Sequence, residues 1–442
     1  MSALDASQDR EGHEIDSGGR SESDDEFDQD SVAIGNLAAA ARAKLADQLL
    51  ASGRADAAVE AAFRGVPRHT FLPEMDPVEA YQDRAVVIKS DSEGLPVSAS
   101  TQPTMMAVML SQLGLAAGHR VLEIGTGTGY NAALIARIVG DQKSVVTIDV
   151  VPDLIGQARV NLTAAGYGRV TVVCGDGAAG VPDHAPYDRI IVTTGTWDLA
   201  TQWWAQLGPA GRIVLPLSIR GIQLSVGLET AGDHLVSRSA CRCSFIRMAG
   251  AITGPESLLA LGPQPGLHAQ AVDGPAPDAD ALYEALSGPV TEEPTGLRAG
   301  DIGELADLDL WLTLAEPGLT RLNLMGRHEA YASPAQQRIA NLMPLGGLAQ
   351  VGSTGRLGVA AFIPGDQPAP YDITARGYGP SGPGLAKYLA RQAIVWHELG
   401  RPGAQDLELS AWPPGARPET IGGASIVIDR PHVRLAVRWP TL

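Results

Sequence analysis

Apolar positions follow three patterns along the chain. From Ile34 they recur at helical spacing through Leu37, Ala41, Leu45 and Leu49, and Leu50-Ala51-Ser52-Gly53 predicts a helix end. A second helix is expected over 55–64, with Ala58, Val59, Ala62 and Phe63 on one side. VPRHTFLPE (66–74) reads as loop or extended chain, because each proline pushes the preceding residue out of the helical region. Residues 81–103 show little regular pattern, and a helix follows from Thr104 to Leu113. The second pattern is alternation. Short apolar runs at 120–124, 145–149, 170–174, 189–194 and 212–217 are separated by helical segments at 129–139, 153–165 and 198–207. Strands apolar on both faces and divided by helices predict a parallel, doubly wound α/β sheet, with 222–229 and 240–246 as further strands. After about 250 the pattern breaks. Residues 253–299 are rich in Gly, Pro and Ala and resemble a linker. Apolar runs at 308–314, 356–365 and 407–412, a helix at 384–399 and two strands within 425–439 then predict an α+β domain.

Composition sharpens the ends of this picture. A chain of 442 residues suggests two or three domains. Residues 1–30 carry a net charge of −9 and almost no large apolar side chains, so 1–32 is expected to be a disordered acidic tail, either solubilising or a docking arm. The expected organisation is therefore tail 1–32, α/β domain 33–250, linker 251–294 and accessory α+β domain 295–442. The whole chain carries −17, which argues against a phosphate-backbone binder, and no nucleic-acid partner is expected. Three scattered cysteines are too few for a disulfide framework and point to a reducing, cytoplasmic setting. No apolar run approaches the ~18–20 residues of a membrane span.

The sharpest signal is VLEIGTGTGYNAALIARIV (121–139). A strand ends at Ile124, and Gly125, Thr126, Gly127, Thr128 and Gly129 turn the chain into a helix. Such a turn lets a ligand approach the backbone closely. The next strand ends in Asp149, placed to accept hydrogen bonds from both hydroxyls of a ribose. The third ends in Gly175-Asp176-Gly177, where a carboxylate beside a small residue can meet an adenine. A nicotinamide site shares the first two features but normally has a third glycine where this chain has Tyr130. Glu123 suits a ligand that carries a cation, such as the sulfonium and amino-acid head of S-adenosylmethionine. A Rossmann-like sheet with no ligand is the plainer alternative.

These segments, with AYQD (80–83), STQP (100–103), GDGAAGVPDHAPYDRIIVT and LGPAGRIVLPL, resemble the protein-L-isoaspartate O-methyltransferases over about residues 35–250. The resemblance implies that Gly125, Gly127 and Gly129 line S-adenosyl-L-methionine, that Asp149 holds its ribose and that Asp176 and Gly177 flank its adenine. It places Thr101 at the family's active-site hydroxyl, with Ser100 beside it. LPVSASTQP (95–103) departs from the family's glycine-rich loop, and the chain is about twice the family's usual length. The extra length resembles a branch that modifies ribosomally made peptides through a methyl ester and then an aspartimide or isoaspartate. The implied substrate is an aspartyl or isoaspartyl carboxylate of a peptide or protein. General isoaspartate repair, a small-molecule methyltransferase and a non-catalytic cofactor-binding scaffold are the alternatives.

A carboxylate with a pKa near ~3.9 is already ionised at neutral pH, so no base is needed to activate it. Alignment and a partly dehydrated site are needed, and the hydroxyls of Ser100 and Thr101 are suitable neutral donors. Thr101 could instead cap the helix after Pro103. Cys241 and Cys243 share one face of a strand without a nearby ligand partner, and no metal is expected.

Overall fold

The computed structural model describes residues 22–92, 94–254, 258–263, 266–271, 278–315, 320–324, 347–351, 357–364, 370–416 and 425–439. Helix α1 spans Glu22–Ala51, so it begins inside the segment expected to be a disordered tail; residues 1–21 of that tail lie outside the described residues. The helix buries Ala38, Leu45, Ala46 and Leu49, whereas Ile34 and Leu37 stay exposed. Helix α2 (Ala57–Gly65) is capped by Asp56, which accepts from Val59 N at 2.9 Å, and it buries Val59, Ala62 and Phe63. VPRHTF becomes a 3₁₀ turn over Arg68–Phe71. Residues 86–100, where no regular pattern was expected, form a hairpin of β1 (Val86–Ser90) and β2 (Pro96–Ser100). Its strands are short and one begins with proline, so period-two alternation is hard to read. Helix α3 (Pro103–Leu113) follows and ends at Gly114.

The predicted alternation appears as β3 (Val121–Ile124), α4 (Tyr130–Val139), β4 (Val145–Asp149), α5 (Pro152–Ala164), β5 (Thr171–Cys174), β6 (Tyr187–Val192), α6 (Thr201–Gln206) and β7 (Leu207–Ile219). These strands are parallel in the order β5-β4-β3-β6-β7. The chain winds outward from β3 through β5, then crosses to β6 on the other side. The strand order reverses between β3 and β6, the place where open α/β sheets bind ligands at their carboxyl ends. The sheet is not parallel throughout. Strands β8 (Ile222–Ala231) and β9 (His234–Cys243) continue it as antiparallel hairpins. Ile219 faces Ile222 across a two-residue turn in which Arg220 and Gly221 both have positive φ, the geometry that matches strand twist.

The expected linker and separate C-terminal domain need correction. Residues 251–294 contain β10 (Leu258–Ala260), β11 (Leu267–Ala271), α7 (Ala279–Ser287) and the start of β12 (Val290–Ala299). Gly262 and Gly266, both with positive φ, lie between the paired strands β10 and β11. With β13 (Thr320–Leu324), β14 (Gly347–Val351), β15 (Leu357–Pro364) and β16 (Tyr371–Tyr378), strands β10, β11 and β12 form a seven-stranded antiparallel sheet. LDLWLTL lies in helix α8 (Ile302–Ala315), whose Leu305, Leu308, Leu310, Leu312 and Leu314 are all buried together with Asp309 and Thr313, so the helix is enclosed on every side. After helix α9 (Gly382–Glu398), the chain returns to the first sheet. Strand β17 (Glu408–Trp412) pairs with β9, and β19 (Arg434–Arg438) and β18 (Ser425–Asp429) extend it to ten strands. The seven-stranded sheet is thus inserted between β9 and β17.

One apolar cluster runs from Leu122 and Ile190 through Leu308 of α8 to Trp396 of α9. At its centre Asp309, 4% exposed, takes Arg242 of β9 at 3.0 Å and Arg321 of β13 at 2.8 Å. A single buried carboxylate therefore ties both sheets. No helix among the described residues is long and apolar enough to cross a membrane.

Candidate functional site

Backbone conformation fixes one wall of the site. Gly125 has φ of +104°, and a Cβ there would lie 2.4 Å from Thr193 Oγ1. Thr193, just beyond β6, donates to Gly125 O at 2.8 Å, so the turn after β3 is strapped to the neighbouring strand. Gly127 has φ of +50°, and the nearest atom to a Cβ there is Ser98 Oγ at 4.0 Å. The turn therefore opens toward β2. Gly129 also has positive φ and starts α4 against Leu162.

Two carboxylates flank this turn. Asp149, at the end of β4, accepts from Gly127 N and Val151 N, each at 3.1 Å. Glu123 is wholly buried in β3, where Asn131 Nδ2 donates to Oε1 at 2.8 Å and Thr147 Oγ1 donates to Oε2 at 2.6 Å. Thr126 Oγ1 lies 2.8 Å from Thr147 Oγ1, which extends the network. Burial pushes the Glu123 carboxyl up to about 7, against the lowering effect of Thr147 and Asn131, and Asp149 adds a further upward push. Asn131 Oδ1 and Thr194 Oγ1 are buried with no hydrogen-bond partner among the described residues. An open glycine turn, two carboxylates and two orphaned acceptors fit a ligand bearing a cation and hydroxyl groups.

Asp176 caps the 3₁₀ turn Gly177–Ala179 through Ala178 N at 2.9 Å and lies 3.4 Å from Ala251 N. Gly177 is buried; a Cβ would meet Ile124 Cγ2 at 2.6 Å, and its carbonyl accepts from Trp203 Nε1 at 2.8 Å. Both residues stand at the carboxyl edge beside β3, with their geometry set by packing.

The second wall is the loop after β2. Ser98 and Ser100 share a strand face by two-residue alternation, so the face that meets Gly127 also carries Ser100. Ser100 is 5% exposed. Arg68 Nη2 donates to Ser100 Oγ at 3.2 Å and to Thr101 O at 3.1 Å. Helix α3 takes its cap from Asp83, not from Thr101: Asp83 accepts from Thr104 N at 2.8 Å, Thr104 Oγ1 at 2.7 Å and Gln102 Nε2 at 3.0 Å. The AYQD and STQP segments are therefore one clamp. His69 is structural, with Nδ1 2.7 Å from Tyr81 Oη. Arg68, Asp83, Asn131 and Thr147 were not among the sequence candidates. Arg68 and Asp83 lie inside segments that the sequence singles out, but their partners are distant in sequence. Among the described residues, no group of three or more His, Cys, Asp and Glu could hold a metal ion.

Residues 40–252 match the family model described as Protein-L-isoaspartate(D-aspartate) O-methyltransferase (PCMT). The chain is 38% identical over 214 residues to the protein-L-isoaspartate O-methyltransferase of Methanopyrus kandleri, covering 48% of this chain and 92% of the relative. It is also 38% identical over 209 residues to that of Roseiflexus castenholzii, covering 47% of this chain and 92% of the relative. A solved protein-L-isoaspartate O-methyltransferase superposes with a TM-score of 0.46 and 26% identity, covering 84% of this chain and 96% of that one.

Proposed function

The chain belongs to the protein-L-isoaspartate(D-aspartate) O-methyltransferase family, and on that premise we propose that it methylates an aspartyl or isoaspartyl carboxylate of a protein or peptide. The cofactor is S-adenosyl-L-methionine, which supplies an electrophilic methyl group when bound. Gly125, Thr126, Gly127 and Gly129 line it, Asp149 accepts from its ribose, Glu123 faces its cationic head, and Asp176 and Gly177 border its adenine. Ser100 and Thr101 hold the acceptor carboxylate. The observation that carries this reading is the approach of β2 to the glycine turn, with Ser98 Oγ 4.0 Å from the Cβ position of Gly127. It sets a hydroxyl-lined loop beside the turn that holds the methyl donor.

The carboxylate arrives ionised, so the protein supplies position and dehydration. Donors that are rigid before the reaction lose little on reorganisation. The resulting methyl ester has a better leaving group than the acid, and the following backbone nitrogen can close a succinimide with loss of methanol.

Within this activity we favour maturation of a dedicated peptide, supported by the seven-stranded sheet beyond residue 252. General repair is supported by the span of the family match. Mass spectrometry of two substrates separates them. A generic isoaspartyl peptide methylated alone would favour repair; a peptide with ordinary aspartate that gains a methyl and then loses methanol would favour maturation. Transfer to neither would overturn the carboxyl methyltransferase reading.

A further inference from the structure

Arg68 is wholly buried, yet its Nε and Nη1 meet no hydrogen-bond partner among the described residues. Its Nη2 alone is engaged, by Ser100 Oγ and Thr101 O. Among the described residues no carboxylate forms an ion pair with it: Asp83, whose charge acts on it from a distance, is hydrogen-bonded to Gln102 and Thr104. The guanidinium carbon lies 5.5 Å from the ring centroid of Tyr130, the first residue of α4 after Gly129. Tyr130 is itself buried against Phe63 and Phe71. One cation thus spans the gap between the cofactor turn and the hydroxyl loop.

Burying an uncompensated guanidinium is costly, and a stabilising core would place an apolar side chain there. An aromatic face recovers part of the cost but leaves the charge unneutralised. Its position has two chemical consequences. Ser100 Oγ accepts from Arg68, so the hydroxyl's own hydrogen is directed elsewhere. The positive potential behind Ser100 and Thr101 also favours an anion in front of them.

We infer that Arg68 is a positioning residue that makes the Ser100–Thr101 loop selective for an anionic carboxylate over a neutral group of the same shape. Arg68 acts through Ser100 without touching the substrate, so this deepens the reading of the loop as the acceptor site and rests on it. Tyr130 holds the guanidinium from behind, which gives the aromatic at that position a use that a glycine would not have.

The test is calorimetric binding of two peptides in saturating S-adenosyl-L-homocysteine, where no methyl can transfer. The peptides differ only in carrying an isoaspartyl carboxylate or the corresponding isoasparaginyl amide. Wild-type protein should prefer the carboxylate by about tenfold or more, the scale of a hydrogen bond to a charged group. Arg68→Met should bring the two affinities together while S-adenosyl-L-homocysteine binds as before, and Arg68→Lys should restore part of the preference. A purely structural role would weaken both peptides alike and leave their ratio intact, which overturns the inference. Should Arg68→Met fail to fold, Ser100→Ala provides the same ratio with Arg68 in place, and an unchanged preference there also overturns it. Wild-type protein that binds both peptides equally overturns the acceptor-site reading itself, before any substitution is made.

Discussion

On one side of the ten-stranded sheet, β3 to β7 are parallel and each is followed closely in sequence by the helix or turn that packs on it. On the other side, β8, β9, β17, β19 and β18 are antiparallel, and β17 arrives after an excursion through a second sheet. Leu409 N donates to Ser237 Oγ across 172 positions. The glycine turn and both flanking carboxylates belong to the first half. Tethering belongs to the second: Asp198, at the loop after β6, accepts from His432 N at 2.9 Å and lies 2.8 Å from His432 Nδ1, while Arg430 donates to Ser218 O at 2.6 Å. Chemistry and closure are thus assigned to different halves of one sheet, and they meet at the β6 loop beside Gly125.

Removing residues 408–442 should have the largest effect on this division. That strips Leu409, Leu435 and Val437, none more than 2% exposed. At roughly 1.5–3 kcal/mol for each large apolar side chain, the loss matches the whole stability of about 5–15 kcal/mol expected of a domain. The truncated chain should show no cooperative melt and no cofactor binding. A cooperative melt with S-adenosyl-L-methionine still bound would make the halves independent, as a domain boundary at 295 implies.

Asp309→Ala tests the tie between the sheets more gently. It leaves Arg242 and Arg321 facing a buried void and should cost about 3–5 kcal/mol by denaturant titration. A cost under about 1 kcal/mol would mean that water reaches the pair.

Glu123 gives a pH signature to the parallel half. Its folded pKa is raised to about 7, so the stability it contributes is present below its unfolded pKa of ~4.3 and is lost as pH rises through about 7, to the extent of roughly 3 kcal/mol. Unliganded wild-type protein should lose more stability between pH 5 and pH 8 than Glu123→Gln. A cationic ligand favours the ionised form, so S-adenosyl-L-methionine should bind more tightly as pH rises across the same window. Parallel pH profiles in the two proteins would show that the carboxyl titrates normally.

Asp149→Ala should weaken S-adenosyl-L-methionine by about 1.5–3 kcal/mol for each charge-assisted bond lost, read by calorimetry on protein that still melts cooperatively, since Gly127 N and Val151 N lose their acceptor too. Thr101→Ala is the smallest effect: loss of a single hydrogen bond to the ionised acceptor, about 1.5–3 kcal/mol, should slow methylation some ten- to hundredfold at unchanged cofactor affinity. Wild-type turnover would transfer the role to Ser100.

The parallel half was legible because its signals are local. Ile124, Gly125–Gly129 and Asp149 form strand, turn and strand end within one unit, and apolar runs mark each strand. The second half hides its partners. LDLWLTL places leucines at every second position, the period of a strand, yet it lies in the buried helix α8, whose Asp309 and Thr313 are enclosed as fully as its leucines. The prolines and glycines of 251–294 suit a tether and a set of hairpins equally well. Nothing in SIVIDRPHVRLAVRW names β17, or β9 beyond it, as its destination. The same holds within the site: Arg68 and Ser100 are 32 residues apart, and only folding makes the arginine a neighbour of the hydroxyl.

Because the second sheet interrupts the first, the order of synthesis matters. A ribosome delivers the glycine turn, both carboxylates and the hydroxyl loop well before residues 408–438 exist. Domains begin to fold as they emerge, so the growing chain holds a β9 edge with no strand beside it while the intervening residues are made. Closing so long a loop adds little entropy cost, since that cost grows only logarithmically with length, but non-local pairing is slow. The nascent chain therefore carries the chemistry's parts before the edge that completes their sheet. Its exposure to aggregation is greatest in that interval, and slower translation of residues 258–400 should lower the yield of soluble protein more than slower translation of residues 121–219.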